Sequence, residues 1–305
     1  MVMPLSLSLR AHAKLNLSLR VLGVRPDGYH DLETVFQSLA LHDTLDFEMR
    51  EGPLALTCTS ESVPLDARNL VWQAAAVVWA CSGRRGEPEG VRVHLRKRIP
   101  VQGGLGGGSS DAAAALLGFA RLWAPGLEES GLAEAAVRLG ADVAFFLCGG
   151  TALGLARGDR IFPLADLEAR HVVLVCPPFG VSTPEAYGWL DADRAAGTAP
   201  AMPSGTLPLP GGVSLPVVND LEPAVARRHP EIGQLRDSLR ECGAEAAAMS
   251  GSGSTVFALF TGRERAAAAA AGLRRDGWRA LLTRTAGRRQ SSLGPRSLSG
   301  RGPLV

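Results

Sequence analysis

From Leu5 to Val21 the odd-numbered positions are Leu5, Leu7, Leu9, Ala11, Ala13, Leu15, Leu17, Leu19 and Val21, all apolar, while the even ones are mostly Ser, Arg, His, Lys and Asn. A period of two over that length predicts extended β structure with one face buried. Residues two apart share a side of a strand, so Lys14 and Asn16 lie together on the polar face. Alternation returns at 91–95, and short apolar runs predict strands at 43–49, 54–58, 172–176, 256–260 and 280–284. Ala-rich stretches at 69–80, 112–123 and 263–275 predict helices, as do 131–139 and 221–241, the last broken near Pro230. Strands and helices mix without regular βαβ alternation, which predicts an α+β fold rather than a doubly wound sheet.

With 305 residues, 46% of them hydrophobic, the chain is too long for one compact core, and about two domains are expected. A composition shift places them at 1–155 and 156–278, with the last strand, 279–286, a candidate to return to the first domain. Thr198 to Pro216 is rich in Pro, Gly and Ser and reads as a long loop. The tail 287–305 is Ser, Gly, Pro and Arg with little to bury, and is expected to be disordered.

A net charge of +2 and 5% aromatics indicate no global polyanion-binding surface, leaving only a local basic patch open, which argues against a nucleic-acid partner. Cys58, Cys81, Cys148, Cys176 and Cys242 are odd in number and form no CxxC, against a disulfide framework or a zinc site. The N-terminal alternation lacks the continuous apolar stretch of a signal peptide, and no segment approaches the ~18 apolar residues of a membrane helix. The expectation is a cytoplasmic protein with no membrane partner.

The most unusual segment runs Arg96-Lys97-Arg98-Ile99-Pro100-Val101-Gln102, then Gly103-Gly104-Leu105-Gly106-Gly107-Gly108-Ser109-Ser110-Asp111, and opens a predicted helix. Glycines let backbone N–H groups approach an anion closely, and a helix N-terminus adds partial positive charge, so this loop suits phosphate. Ser109 and Ser110 can cap the helix or donate to phosphate oxygens. No Lys-Ser/Thr pair follows, and the spacing is not G-x-G-x-x-G, so neither a Walker A loop nor a dinucleotide fingerprint is present. Gly251-Ser252-Gly253-Ser254-Thr255 is a second glycine motif, equally readable as a tight turn before a strand.

Phosphoryl transfer needs a positioned acceptor hydroxyl, neutralised charge and often a carboxylate to take the proton. Asp142, between a predicted helix and the apolar run 143–147, is the candidate carboxylate; the alternative is an ordinary helix cap. Lys14 is the candidate cation, and the alternative for it and for Asn16 is a solvated strand position. Tyr29, beside His30 on the turn Arg25-Pro26-Asp27-Gly28, could form a flat platform for a base or simply pack the turn. The Arg96-Lys97-Arg98 run could attract phosphates or end a strand in solvent.

Three motifs stand in one order: Ala13-Lys14-Leu15-Asn16-Leu17, Pro100 to Asp111, and Met249 to Phe257. Together they resemble the three motifs of the GHMP kinase superfamily. Within it, Arg25 to His30 with Thr34-Val35-Phe36-Gln37, Leu139-Gly140-Ala141-Asp142-Val143 and Asn219-Asp220-Leu221-Glu222 resemble the branch acting on 4-diphosphocytidyl-2-C-methyl-D-erythritol in non-mevalonate isoprenoid synthesis. The likeness spans roughly residues 10 to 285.

That resemblance implies two α+β domains with the active site in the cleft between them. It implies ATP with Mg²⁺: Pro100, Gly103, Gly104, Leu105, Gly106, Gly107, Gly108, Ser109 and Ser110 around the phosphates, and Asn69 near the adenine. It also implies phosphorylation of the substrate's 2-hydroxyl, with Asp142 as base and Lys14 beside it. Asn16, Tyr29 and His30 would hold the cytidine, His30 by hydrogen bonding and Tyr29 by stacking, with Tyr187 a looser match to a second stacking ring. Gln102-Gly103-Gly104 departs from the usual Ala-rich approach to the loop. The competing expectations are a GHMP kinase for mevalonate or homoserine, a catalytically silent nucleotide or sugar-phosphate binder, and nucleic-acid binding through the Arg-rich tail.

Overall fold

The alternating N-terminal segment forms β1 (Ser6–Val24), and the turn after it reverses the chain into β2 (His30–Pro53), paired antiparallel along nearly its whole length. The computed structural model describes residues 6–198, 201–208 and 212–293. β3 (Ala55–Cys58) and β4 (Glu89–Arg96) extend this sheet on the far side of β2, flanking α1 (Leu70–Cys81) in sequence. The chain then builds α2 (Gly107–Trp123), α3 (Glu129–Leu139) and α4 (Val143–Cys148). β5 (Thr151–Ala156) returns to β2, and β6 (Arg160–Pro163) pairs with β5. α1 to α4 cover one face of the sheet in a core that includes Phe47, Phe119, Trp123 and Phe145. Helix α2 lies so close to it that a Cβ on Gly118 would stand 2.3 Å from the Phe47 ring.

The second half begins with β7 (His171–Cys176) and α5 (Thr183–Ala195). A hairpin of β8 (Thr206–Pro208) and β9 (Ser214–Pro216) follows, then β10 (Val218–Asn219), which joins the large sheet parallel to β1. After α6 (Glu222–Arg228) and α7 (Glu231–Glu241) come β11 (Ala246–Met249), β12 (Val256–Phe260), α8 (Arg263–Arg275) and β13 (Arg279–Arg284). The smaller sheet runs β11-β12-β7-β13, all antiparallel.

Four expectations change. β1 was expected to bury one face, but every residue from Ala11 to Leu19 is buried. A bulge between His12 and Lys14 re-aims the strand, and Ala13, Leu15 and Leu17 then pack against Val172, Leu174 and Phe257 of the smaller sheet, leaving Lys14 and Asn16 on the opposite, enclosed side. The last strand does not return to the large sheet: β13 pairs with β7, and beyond its end Leu39 and Thr285 form an isolated bridge. The segment 198–216 holds the β8–β9 hairpin, whose Leu207 and Leu215 reach the core between the sheets. The expected tail is ordered over its first residues. α9 (Arg288–Ser291) presents the Ser291 hydroxyl to the Gly150 N–H at 2.8 Å, and Leu293 is buried. Residues 294–305 lie outside those described.

Candidate active site

The glycine loop is held by both neighbouring motifs. Lys14 N–H donates to Leu105 O at 3.0 Å, and the Ser250 hydroxyl donates to Gly104 O at 3.0 Å. Gly104 has φ +71°, and a Cβ there would stand 2.1 Å from Ser250 O; one on Gly103 would meet Thr255 Oγ1 at 2.7 Å. No side chain fits at either position. Gly106, also left-handed, caps α2 without a side chain, and Ser110 N–H makes the first helical bond to Gly106 O. The N–H groups of Gly107, Gly108 and Ser109 therefore precede the helix's own hydrogen bonds and face outward for an anion. Leu105 and Pro100 are buried anchors of the loop, and Gln102 takes φ +58° beside them. The Ser110 hydroxyl is buried with no partner.

One side of the loop opens on a cavity of about 360 Å³, walled by Asn69, Pro64, Leu70 and Pro100 to Ser109. Asn69 shapes that wall: its Oδ1 caps α1 by accepting from Val71 N–H at 2.9 Å, and its amide donates to Pro64 O at 2.7 Å. The other side opens on a larger cavity, about 970 Å³, which contains Lys14, Asn16, Tyr29, His30, Asp142 and Tyr187.

Asp142 occupies the N-cap position of α4, yet its side chain makes no capping bond. It turns instead to the Lys14 ammonium, 3.3 Å away, with the two side chains 35% and 4% exposed. Lys14 is no solvated strand lysine: its Nζ donates to Asn16 Oδ1 at 2.6 Å and lies 5.6 Å from the Phe36 ring centre. Asn16 Nδ2 donates to the Thr34 hydroxyl at 2.8 Å, which donates to Ser18 O at 2.7 Å. A buried ammonium is thus fixed by a chain of neutral groups with one carboxylate, itself open to the cavity.

Farther along the cavity, His30 stacks on Tyr187 with ring centres 4.6 Å apart, and burial pushes the Tyr187 hydroxyl's pKa up, with Asp142 adding to it. Tyr29 stands 58% exposed at the rim with the Arg157 guanidinium 5.2 Å over its ring.

Residues 69–150 match the GHMP kinases N terminal domain and residues 212–279 the GHMP kinases C terminal domain. The 4-diphosphocytidyl-2-C-methyl-D-erythritol kinase of Pelotomaculum thermopropionicum is 43% identical over 282 residues, 90% of this chain and 96% of that protein. This chain belongs to the 4-diphosphocytidyl-2-C-methyl-D-erythritol kinase family. The protein of that name from Moorella thermoacetica is 41% identical, covering 92% of this chain and 99% of its own. A crystal structure of 4-(cytidine 5'-diphospho)-2C-methyl-D-erythritol kinase superposes with a TM-score of 0.72 at 33% identity, over 92% of this chain and all of that one. Homoserine kinase from Cytophaga hutchinsonii shares the fold at a TM-score of 0.66, with 18% identity.

Several residues that build this kinase's site carry no signal in the linear sequence. Asp191, one helical turn after Tyr187 on α5, receives His30 Nε2 at 3.0 and 3.1 Å. Asn219 and Glu222 stood out only as part of a resemblance. Asn219 Nδ2 donates to Met249 O and Gly251 O at 2.8 and 2.7 Å, and Glu222 accepts from Met249 N–H at 2.7 Å, so both brace the third motif. In the Arg96-Lys97-Arg98 run, Arg96 pairs with Asp46 at 2.8 Å and Lys97 turns inward to Asp43 and Asp111.

Proposed function

We propose that this kinase transfers the γ-phosphoryl group of ATP to the 2-hydroxyl of 4-diphosphocytidyl-2-C-methyl-D-erythritol, with Asp142 as the base. The observation that carries the reading is the 3.3 Å pair of Asp142 with the buried Lys14 ammonium, set where the glycine loop meets the large cavity.

The polyphosphate lies on the free N–H groups of Gly107, Gly108 and Ser109, with the loop from Pro100 to Ser110 around it and Asn69 on the wall toward the adenine. The acceptor hydroxyl gives its proton to Asp142 as its oxygen attacks the γ-phosphorus in line; the β–γ bridging bond breaks and ADP leaves. Lys14 favours the ionised form of Asp142 and counters charge growing on the phosphoryl oxygens. His30, Tyr29, Tyr187 and Asn16 hold the cytidine end, His30 by hydrogen bonding and the tyrosines by stacking. Among the described residues no group of three or more His, Cys, Asp or Glu converges as a metal cage. An Mg²⁺ arriving with ATP would be held through the phosphate oxygens beside the glycine loop and would neutralise phosphate charge. All five cysteines are free and no helix among the described residues is long and apolar enough to cross a membrane, which supports a reducing, cytoplasmic setting.

The test is ADP release from ATP and Mg²⁺ with the diphosphocytidyl substrate, mevalonate or homoserine as acceptor. Turnover is expected with the first alone, and Asp142→Asn should lose about 10²- to 10⁴-fold, the usual worth of general base catalysis. Comparable turnover with mevalonate or homoserine would overturn the substrate assignment.

A further inference from the structure

Behind the first turns of α2 lies a charge cluster that the transfer chemistry does not use. Lys97, just past β4, places its ammonium 2.5 Å from Asp43 on β2 and 2.7 Å from Asp111 on α2, with side chains 8%, 0% and 4% exposed. Asp43 is fully engaged: besides Lys97, its Oδ1 accepts from the N–H groups of Arg98 and Ile99 at 2.5 and 2.9 Å. It fixes the chain that leads into the glycine loop. Asp111 is different, because its Oδ2 accepts from Lys97 while its Oδ1 is buried with no partner.

Two carboxylates face one ammonium, so with both ionised a negative charge is left over in a dry site. Such a charge is strongly disfavoured and is relieved by taking up a proton. Burial pushes Asp111 up to about 8, with Lys97 opposing the shift and Asp43 adding to it. Burial would lower the Lys97 ammonium, but Asp111 and Asp43 outweigh it and hold it up. Cys58 on β3 also lies near, its thiol pushed up by burial, and the exposed Arg68 guanidinium on the cavity beside the loop is paired with Asp66.

The place of this surplus charge matters. Asp111 follows Gly107, Gly108 and Ser109, whose N–H groups are the ones free for phosphate, and Lys97 Nζ is 3.4 Å from where a Cβ on Gly107 would stand. Both residues also line the cavity on the loop's nucleotide side. An ionised Asp111 there opposes an incoming polyanion, and a protonated one does not.

We propose that Asp111 is a proton-linked positioning residue of the phosphate loop: ATP binds the form in which Asp111 is protonated, and draws one proton from solvent onto Asp111. This rests on the reading of the loop as the phosphate site. The apparent affinity is then the intrinsic one scaled by the protonated fraction, and it falls toward tenfold per pH unit once Asp111 ionises in the free protein. Phosphate itself, titrating near pH 6, contributes little above about pH 8.

The experiment is calorimetric titration of the full chain with ATP and Mg²⁺, without acceptor, in two buffers of different ionisation enthalpy between about pH 7 and about pH 9. The wild type should take up a proton per ATP approaching one at the alkaline end, with Kd weakening about fivefold over the last unit. Asp111→Asn, equal in shape and always neutral, should take up none, and its KM for ATP should lose its pH dependence. A purely structural Asp111 would change stability without changing that slope, so a slope retained in the variant overturns the proposal. Should the variant fail to fold, wild-type calorimetry still decides, since ATP binding without buffer-dependent proton uptake overturns the proposal alone. No ATP binding at all would overturn the phosphate-site reading and this inference with it.

Discussion

Lys14→Met removes the ammonium at the centre of the site while keeping a chain of similar length. At the observed 3.3 Å, attraction between Lys14 and Asp142 is about 5 kcal/mol at an effective dielectric of about 20. Asp142 is about one-third exposed, and water screening reduces the figure to roughly half. In the proposed mechanism the same ammonium faces the negative charge that builds on the transferring phosphoryl group, where loss of one preorganised donor costs about 10²- to 10³-fold. Together these predict a fall in kcat of about 10²- to 10³-fold, or about 3–4 kcal/mol of transition-state stabilisation. The KM for ATP should change by less than about threefold, because the loop N–H groups are untouched. Lys14→Arg should rescue little, since the buried site holds a compact ammonium, 2.6 Å from Asn16 Oδ1 and 3.3 Å from Asp142, and a planar guanidinium cannot take that place. Steady-state ADP release, with circular dichroism to confirm the fold, makes the measurement. A kcat within about threefold of wild type would refute the assignment of Lys14 to the reacting charges.

Other consequences follow from the same geometry. Gly104→Ala must push a Cβ into Ser250 O, 2.1 Å away, at φ +71°, and should lose most ATP affinity in calorimetry; retained affinity would mean the loop does not lie against the third motif as described. Tyr187→Ala removes the ring stacked on His30 at 4.6 Å and should raise the KM for the cytidyl acceptor about tenfold with little change in the KM for ATP, in line with base stacking worth about 1–3 kcal/mol. Glu222→Ala leaves Met249 N–H without its partner and Arg236 with Asp237 alone, and should cost about 2–4 kcal/mol in denaturant unfolding. Asp111 is held at about 8, well above its unfolded value, so its share of stability is complete below about pH 4 and is lost as pH rises toward 8. The difference in Tm between wild type and Asp111→Asn should therefore shift toward the variant over that range, and a constant difference would contradict it.

The sequence by itself determined the elements and the motifs. Period-two alternation marks β1, Ala-rich runs mark α2 and α8, and five glycines opening a helix mark an anion site, because these signals rest on local backbone geometry and side-chain spacing. Spacing alone left Lys14 and Asp142 each with an ordinary structural reading. Only the tertiary structure brings residues 128 positions apart to 3.3 Å and shows that Asp142 does not cap its helix. Burial of both faces of β1 was equally illegible, since it depends on a bulge and on a second sheet assembled from 171–284. So were the His30–Asp191 pair and the Lys97–Asp43–Asp111 cluster, which join separate elements through contacts of long sequence separation. Charge in this protein is solvated or buried according to what the fold places around it, and no local pattern records that.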